Sequence, residues 1–144
     1  MSCHERVFMD RNPASRVVLI TGCSSGIGRC GAEMLRARGY RVFAAARKQE
    51  DVEALKTDGF EALFLDLRDS GSIESAVEEL LTRTGGHIYG LFNNAAYGQP
   101  GAVEDLSRDA LRTQFETNLF GTHELTNRIL PVMRRQGAGR IIQN

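Results

Sequence analysis

Val17-Val18-Leu19-Ile20-Thr21-Gly22-Cys23-Ser24-Ser25-Gly26-Ile27-Gly28 is the stretch whose reading decides the fold. The β-branched run from Val17 to Ile20 has the form of a strand buried on both faces, and Thr21-Gly22 ends it. Three glycines then follow in the spacing G-x-x-x-G-x-G, and a helical pattern starts on them. Ile27, Cys30, Gly31, Met34 and Leu35 recur at i, i+3, i+4, i+7 and i+8, one face of a helix that Gly39 stops. Gly22 lets the chain reverse after the strand, Gly26 lets the backbone approach a bulky anion, and Gly28 allows helix to pack closely on strand. The free N–H groups and positive dipole end of that helix point at a phosphate.

Outward from this turn the alternation repeats. Arg41 to Ala46 reads as strand two, Glu50 to Asp58 as a short helix, and Ala62 to Asp66 as strand three. A helix from about Ser72 to Thr84 gathers Ile73, Ala76, Val77, Leu80 and Leu81 on one face, and Tyr89 to Asn93 is strand four. Ser107 has the form of an N-cap for a helix carrying Leu111 and Phe115. A long helix runs from about Phe120 to Arg135, with a bend or an early stop expected at Pro131. Arg140 to Asn144 starts a fifth strand. Strands alternating with helices predict an α/β, Rossmann-like doubly wound parallel sheet. Residues 1–15, polar and without periodicity, read as a flexible leader. Residues 16–144 read as the N-terminal part of a dinucleotide-binding domain. Ligands of such sheets bind beyond the C-terminal strand ends, where Thr21-Gly22, Arg47, Asp66 and Asn93-Asn94 all fall.

Composition removes several function classes. A length of 144 residues bounds the chain to about one domain. The longest apolar run, Val42 to Ala46, is far short of the roughly 20 residues a membrane span needs. Eighteen basic residues offset eighteen acidic ones, so no global field recruits nucleic acid or anionic lipid. Cys3, Cys23 and Cys30 form no C-x-x-C pair and follow no secretory apolar segment, which favours reduced thiols in the cytoplasm. No metal site is expected, since adjacent Cys3-His4-Glu5 cannot easily enclose one ion.

Gly22-Cys23-Ser24-Ser25-Gly26 also matches G-x-S-x-G, the nucleophile elbow of serine hydrolases, with Ser24 as nucleophile. No strand–helix loop precedes it to give a second oxyanion donor. His87 and His123, the only later histidines, are poorly placed, and Ile27-Gly28 has no role in an elbow. After strand two, where an NAD site places a carboxylate about 20 residues beyond the glycines, stands Ala44-Ala45-Ala46-Arg47-Lys48. The Arg47 fork suits a 2′-phosphate, which favours NADP over NAD, against the plainer reading of a solvated cation pair. Asp66 has two readings of equal weight, an acceptor for the adenine amino group or a helix cap or turn residue.

Taken together, Thr21-Gly22-x-x-x-Gly26-x-Gly28, Asp66-Leu67, Asn93-Asn94-Ala95, Thr117-Asn118-Leu119-Phe120-Gly121 and Leu130-Pro131-x-Met133 resemble the short-chain dehydrogenase/reductase family. Ala46-Arg47-Lys48 and Tyr97-Gly98 look like its branch acting on retinoids, steroids and lipophilic aldehydes. The resemblance implies hydride transfer between NADP(H) and a small carbonyl or alcohol. It places Gly22, Ser24, Ser25, Gly26, Ile27 and Gly28 around the pyrophosphate and adenosine ribose, and Arg47 at the 2′-phosphate. Asp66 and Leu67 would frame adenine, and Asn94 with Ala95 would lie near the nicotinamide-side ribose. Asn118 would carry a proton relay through its backbone carbonyl, with a packing role as its alternative. Ala96 departs from the family's usual glycine.

The family's reaction also needs a Ser, and a Tyr followed four residues later by Lys. Tyr40, Tyr89 and Tyr97 are followed at that spacing by Ala44, Asn93 and Gly101. The expectation is therefore the cofactor half of a longer reductase, truncated after about five strands and inactive alone. A non-catalytic nucleotide-binding or interaction module is the alternative. An uncovered fifth strand and long helix predict self-association, giving a homo-oligomer.

Overall fold

The computed structural model describes residues 16–144, so the leader expected over residues 1–15 lies outside the described residues. Five strands, β1 (Val17–Thr21), β2 (Arg41–Ala46), β3 (Glu61–Phe64), β4 (Gly90–Asn93) and β5 (Arg140–Gln143), form one parallel sheet in the order β3-β2-β1-β4-β5. The order reverses between β1 and β4, which makes the sheet doubly wound. Register is continuous across that switch, with Leu19 opposite Phe43 on one side and opposite Leu91 on the other.

Alternate residues of each strand feed two separate cores, as a period of two requires. Val17, Leu19, Phe43, Ala45 and Leu63 pack under α3 (Ser70–Thr84) and α5 (Thr122–Gln136). Val18, Ile20, Val42, Ala44 and Ala62 pack under α1 (Gly26–Ala37) and α2 (Gln49–Thr57). Both faces of the central strands are covered, which is why they read as unbroken apolar runs.

The face assigned to α1 needs correction. Ile27 and Met34 are 64% and 49% exposed, and Cys30 is exposed as well. The helix instead meets the sheet through Gly28, Gly31, Ala32 and Leu35, with Gly31 lying against the Phe92 ring. Small residues bring the helix axis close to the strands, so its larger apolar side chains are turned outward. Periodicity registers the large ones.

The long helix also differs from expectation. Ser107 caps α4 (Arg108–Phe115) as read from sequence, its Oγ accepting from the Ala110 N–H at 3.1 Å. Between α4 and α5 the chain winds as a π-helix over Glu116–Gly121. Pro131 does not stop α5, which continues to Gln136. The proline and Asn127, whose carbonyl its ring frees, are both exposed, so water can satisfy that carbonyl.

Candidate functional site

A cleft of about 790 Å³ opens beyond the C-terminal strand ends at the switch between β1 and β4. Four chain turns line it: Thr21, Gly22, Ser24 and Ser25 after β1; Ala46, Arg47 and Lys48 after β2, with Asp51 of α2; Leu65–Arg68 after β3; and Asn94–Tyr97 after β4, with Thr117 of the π-helix behind them. Of the residues singled out from sequence, Gly22, Ser24, Ser25, Arg47, Asp66, Leu67, Asn94 and Ala95 meet there. Gly26, Ile27 and Gly28 form the first turn of α1 just behind the rim, and Asn118 acts one layer back.

The first turn is held open by its backbone. Gly22 has φ +71°, and a Cβ on it would come within 2.9 Å of the Ala95 Cα. A Cβ on Gly28 would overlap the Gly22 carbonyl oxygen, so the helix start meets the strand end only because residue 28 is glycine. Ser25 is the N-cap residue, yet its hydroxyl caps nothing. The first helical bond runs from the Arg29 N–H to the Ser25 carbonyl at 3.4 Å. The N–H groups of Gly26, Ile27 and Gly28 are therefore free of helical acceptors, with no acidic side chain in the first turn to oppose an anion.

Thr21, which the sequence marks only as the end of the first strand, ties two walls of the cleft together. Its side chain is fully buried, and Oγ1 accepts from the N–H groups of both Asn94 and Ala95 at 2.9 Å. The Asn94 amide completes the joint, donating through Nδ2 to the carbonyls of Thr21 and Gly22 at 3.0 and 3.3 Å. The glycine turn and the end of β4 thus move as one body. A hydroxyl closing an apolar strand was the available signal, since a buried hydroxyl must find partners.

Arg47 is exposed on the cleft rim and has no ion-pair partner among the described residues, whereas Lys48 pairs with Glu50 at 3.3 Å. Asp66 does not cap α3, because Asp69 does, accepting from the Gly71 N–H at 3.0 Å, but it is a turn residue, its Oδ1 accepting from the Arg68 N–H at 3.0 Å. Asp66 instead turns toward Arg68, which spans its carboxylate with Nε and Nη2 at 3.1 and 2.7 Å. These hydrogen bonds hold its carboxyl below the usual carboxylate range, with the charge of Arg47 adding to the effect. Arg68 went unremarked in the sequence because nothing in its spacing distinguishes it from a surface cation.

Asn118 sits in the π-helix, a deviation that recurs at functional sites. Its side chain clamps the loop after β4, Oδ1 accepting from the Tyr97 N–H at 3.1 Å and Nδ2 donating to the Tyr97 carbonyl at 2.8 Å. The turn that holds Asn118 needs Gly121, where a Cβ would overlap the Leu67 carbonyl oxygen.

The elbow reading of Ser24 finds no support here. His87 precedes β4 and so lies at the opposite end of the sheet, with Nδ1 3.0 Å from the Gly85 carbonyl oxygen. His123 lies on α5 beside Asn127. Cys23, beside Ser24 in the turn, is fully buried, and burial pushes its thiol up to about 12. It is a packed thiol facing the Ile20 carbonyl rather than a nucleophile. Among the described residues no cluster of His, Cys, Asp and Glu could hold a metal.

A family model for short chain dehydrogenase matches residues 16–143. The chain belongs to this family. Among short-chain dehydrogenases and their relatives it is 44% identical over 125 residues to the uncharacterized oxidoreductase YbbO of Escherichia coli, covering 87% of this chain and 46% of the relative. It is 36% identical over 147 residues to human 17-beta-hydroxysteroid dehydrogenase type 1, covering 90% of this chain and 42% of that one. The crystal structure of a short-chain dehydrogenase from Streptomyces avermitilis superposes with a TM-score of 0.83 at 37% identity, over 89% of this chain and 48% of that one. The chain spans about half the length of the curated relatives it matches. Proteins of this family bind nicotinamide dinucleotide cofactors.

Proposed function

We propose that these residues hold the dinucleotide of an NADP(H)-dependent short-chain oxidoreductase that interconverts a carbonyl and an alcohol. The single observation that carries this reading is the free N-terminus of α1 opening on a cleft where Arg47 directly follows the second strand, the carboxylate lining that side being Asp51, a turn further on inside α2. A dinucleotide with a 2′-phosphate suits that donor set, and when bound it would supply the hydride acceptor or donor.

The chain's own residues divide the remaining work. The N–H groups of Gly26, Ile27 and Gly28, with the Ser24 and Ser25 hydroxyls, neutralise the pyrophosphate by hydrogen bonds and the helix dipole. Arg47 takes the 2′-phosphate in a charge-assisted fork. Asp66 and Leu67 frame adenine, and Asn94 and Ala95 fix the backbone beside the nicotinamide-side ribose. The Asn118 carbonyl accepts a proton-relay water, while its side chain keeps the Tyr97 loop in place. The proton donor to the substrate oxygen is not among these residues, since no tyrosine here has a lysine four positions on.

The substrate class we infer is a lipophilic aldehyde, retinoid or steroid. Among similar proteins are one named 17-beta-hydroxysteroid dehydrogenase type 1 and one named retinol dehydrogenase 7, the latter from Rattus norvegicus and 34% identical over 146 residues. Residues 16–144 are the dinucleotide-binding part, and the cytoplasm is the compartment we assign. Free Cys23 and Cys30 support a reducing environment, and no described helix is long and apolar enough to cross a membrane.

Arg47→Ala is expected to weaken NADPH binding by about 30-fold, the size of a hydrogen-bonded charge pair, and NADH binding by less than about twofold. Fluorescence titration of the protein with each nucleotide checks this. Equal losses for both would remove Arg47 from the site.

Self-association is the second proposal. Leu111, Phe115 and Leu119 recur at i, i+4 and i+8 on the α4–π segment, and all are exposed, with Phe120 beside them. On β5, at the edge of the sheet among the described residues, Ile142 is 56% exposed. An apolar surface of this kind favours pairing through the long helix or the strand edge. Multi-angle light scattering should show a dimer or larger species that Phe115→Glu dissociates; a monomer at every concentration would overturn it.

A further inference from the structure

The carboxylate of Asp66 is almost fully spoken for. It offers about four acceptor positions, two on each oxygen. Oδ1 uses both, accepting from the Arg68 backbone N–H at 3.0 Å and from Arg68 Nε at 3.1 Å. Oδ2 accepts from Arg68 Nη2 at 2.7 Å and has one position left. The backbone of Asp66 is fixed as well. Its N–H donates to Ser72 Oγ at 2.9 Å, and its carbonyl accepts from the Asp69 N–H at 3.1 Å. Asp66 is the more buried partner, its side chain 17% exposed against 45% for Arg68, and both line the cleft. A carboxylate held at both ends of its residue, with a single acceptor position left, cannot turn to suit a different ligand.

We propose that Arg68 is a positioning residue for base selection, locking Asp66 so that the cleft takes a 6-amino purine and rejects a 6-oxo purine. This rests on the dinucleotide reading of the cleft. An amino group donates to the remaining position on Oδ2. A 6-oxo group brings a second oxygen to the same place, and the fork prevents Asp66 from rotating away from it. An exposed ion pair is worth little to stability, so the contribution of Arg68 lies in orientation. A point charge could not replace it, because one ammonium cannot span both oxygens in a plane.

The test compares NADPH with its hypoxanthine analogue, in which the 6-amino group is replaced by a 6-oxo group, by fluorescence titration of the unsubstituted protein and variants. The unsubstituted protein should prefer NADPH by about tenfold or more, the size of a hydrogen bond to a charged group. Arg68→Met should cut that ratio at least about fivefold, and Arg68→Lys, which keeps charge and length, should cut it too. In an Asp66→Asn background the same Arg68→Met change should leave the ratio unaltered, since the two residues act as one unit. An unchanged ratio in Arg68→Met, a full ratio in Arg68→Lys, or an equal drop in both backgrounds would each overturn the assignment while leaving the dinucleotide reading intact. Failure of the unsubstituted protein to bind either nucleotide would overturn the dinucleotide reading itself, and this assignment with it.

Discussion

Thr21→Val is expected to lower the unfolding free energy by about 3 kcal/mol and to weaken NADPH binding, although valine has the same shape. Valine removes the oxygen that accepts from the Asn94 and Ala95 N–H groups. Valine puts a methyl against both donors in place of the oxygen, and each donor left unpaired costs about 1–3 kcal/mol. The same oxygen ties the end of β4 to the glycine turn, so the joint between two walls of the cleft is left with only the Asn94 amide bonds to the Thr21 and Gly22 carbonyls. Thr21→Ser keeps the hydroxyl and loses one methyl, a change of about 1 kcal/mol. Urea denaturation separates the two: a serine variant as unstable as the valine variant would assign the effect to methyl packing instead.

What the sequence exposed and what it hid follow from the range of the interactions concerned. β2, whose apolar run is set by local burial on both faces, lies at Arg41–Ala46 as read, and the Ser107 cap answers to a residue only three positions on. The gathering of Gly22, Arg47, Asp66 and Asn94 was legible because a parallel sheet delivers every strand's C-terminal end to one side. The Thr21 joint was not, because its partners stand 73 and 74 residues away. Strand three was read through Asp66 but ends at Phe64, although the Leu65 N–H still donates to the Ala46 carbonyl. The outward turn of Ile27 and Met34 depends on how closely a Gly-Ala surface meets the sheet, and a periodicity that weighs side chains by size cannot register it. The π-helix escaped for a related reason. Its position follows from the fit of Gly121 under the Leu67 carbonyl, a contact between two distant turns.

Gly28→Ala should have the other large effect, and comparison with Gly26→Ala shows where it comes from. The added methyl at Gly28 would overlap the Gly22 carbonyl oxygen and crowd the Asn94 amide, both fixed in the joint that Thr21 anchors. Since backbone rather than a flexible side-chain end stands in the way, α1 must draw back from β1, at about 3 kcal/mol, the upper end for overpacking. At Gly26, φ is +59° and no atom lies within 4 Å of an added methyl. Only the left-handed backbone is strained there, by about 1–2 kcal/mol. Binding should order the two differently from stability. The Gly26 methyl would stand where an anion approaches the helix, whereas the Gly28 methyl moves the whole helix terminus and with it every free N–H. Paired thermal melts and NADPH titrations should therefore show Gly28→Ala losing stability and affinity together, and Gly26→Ala losing affinity out of proportion to its smaller stability change. If Gly26→Ala keeps full affinity, the placement of the phosphate on this turn is overturned.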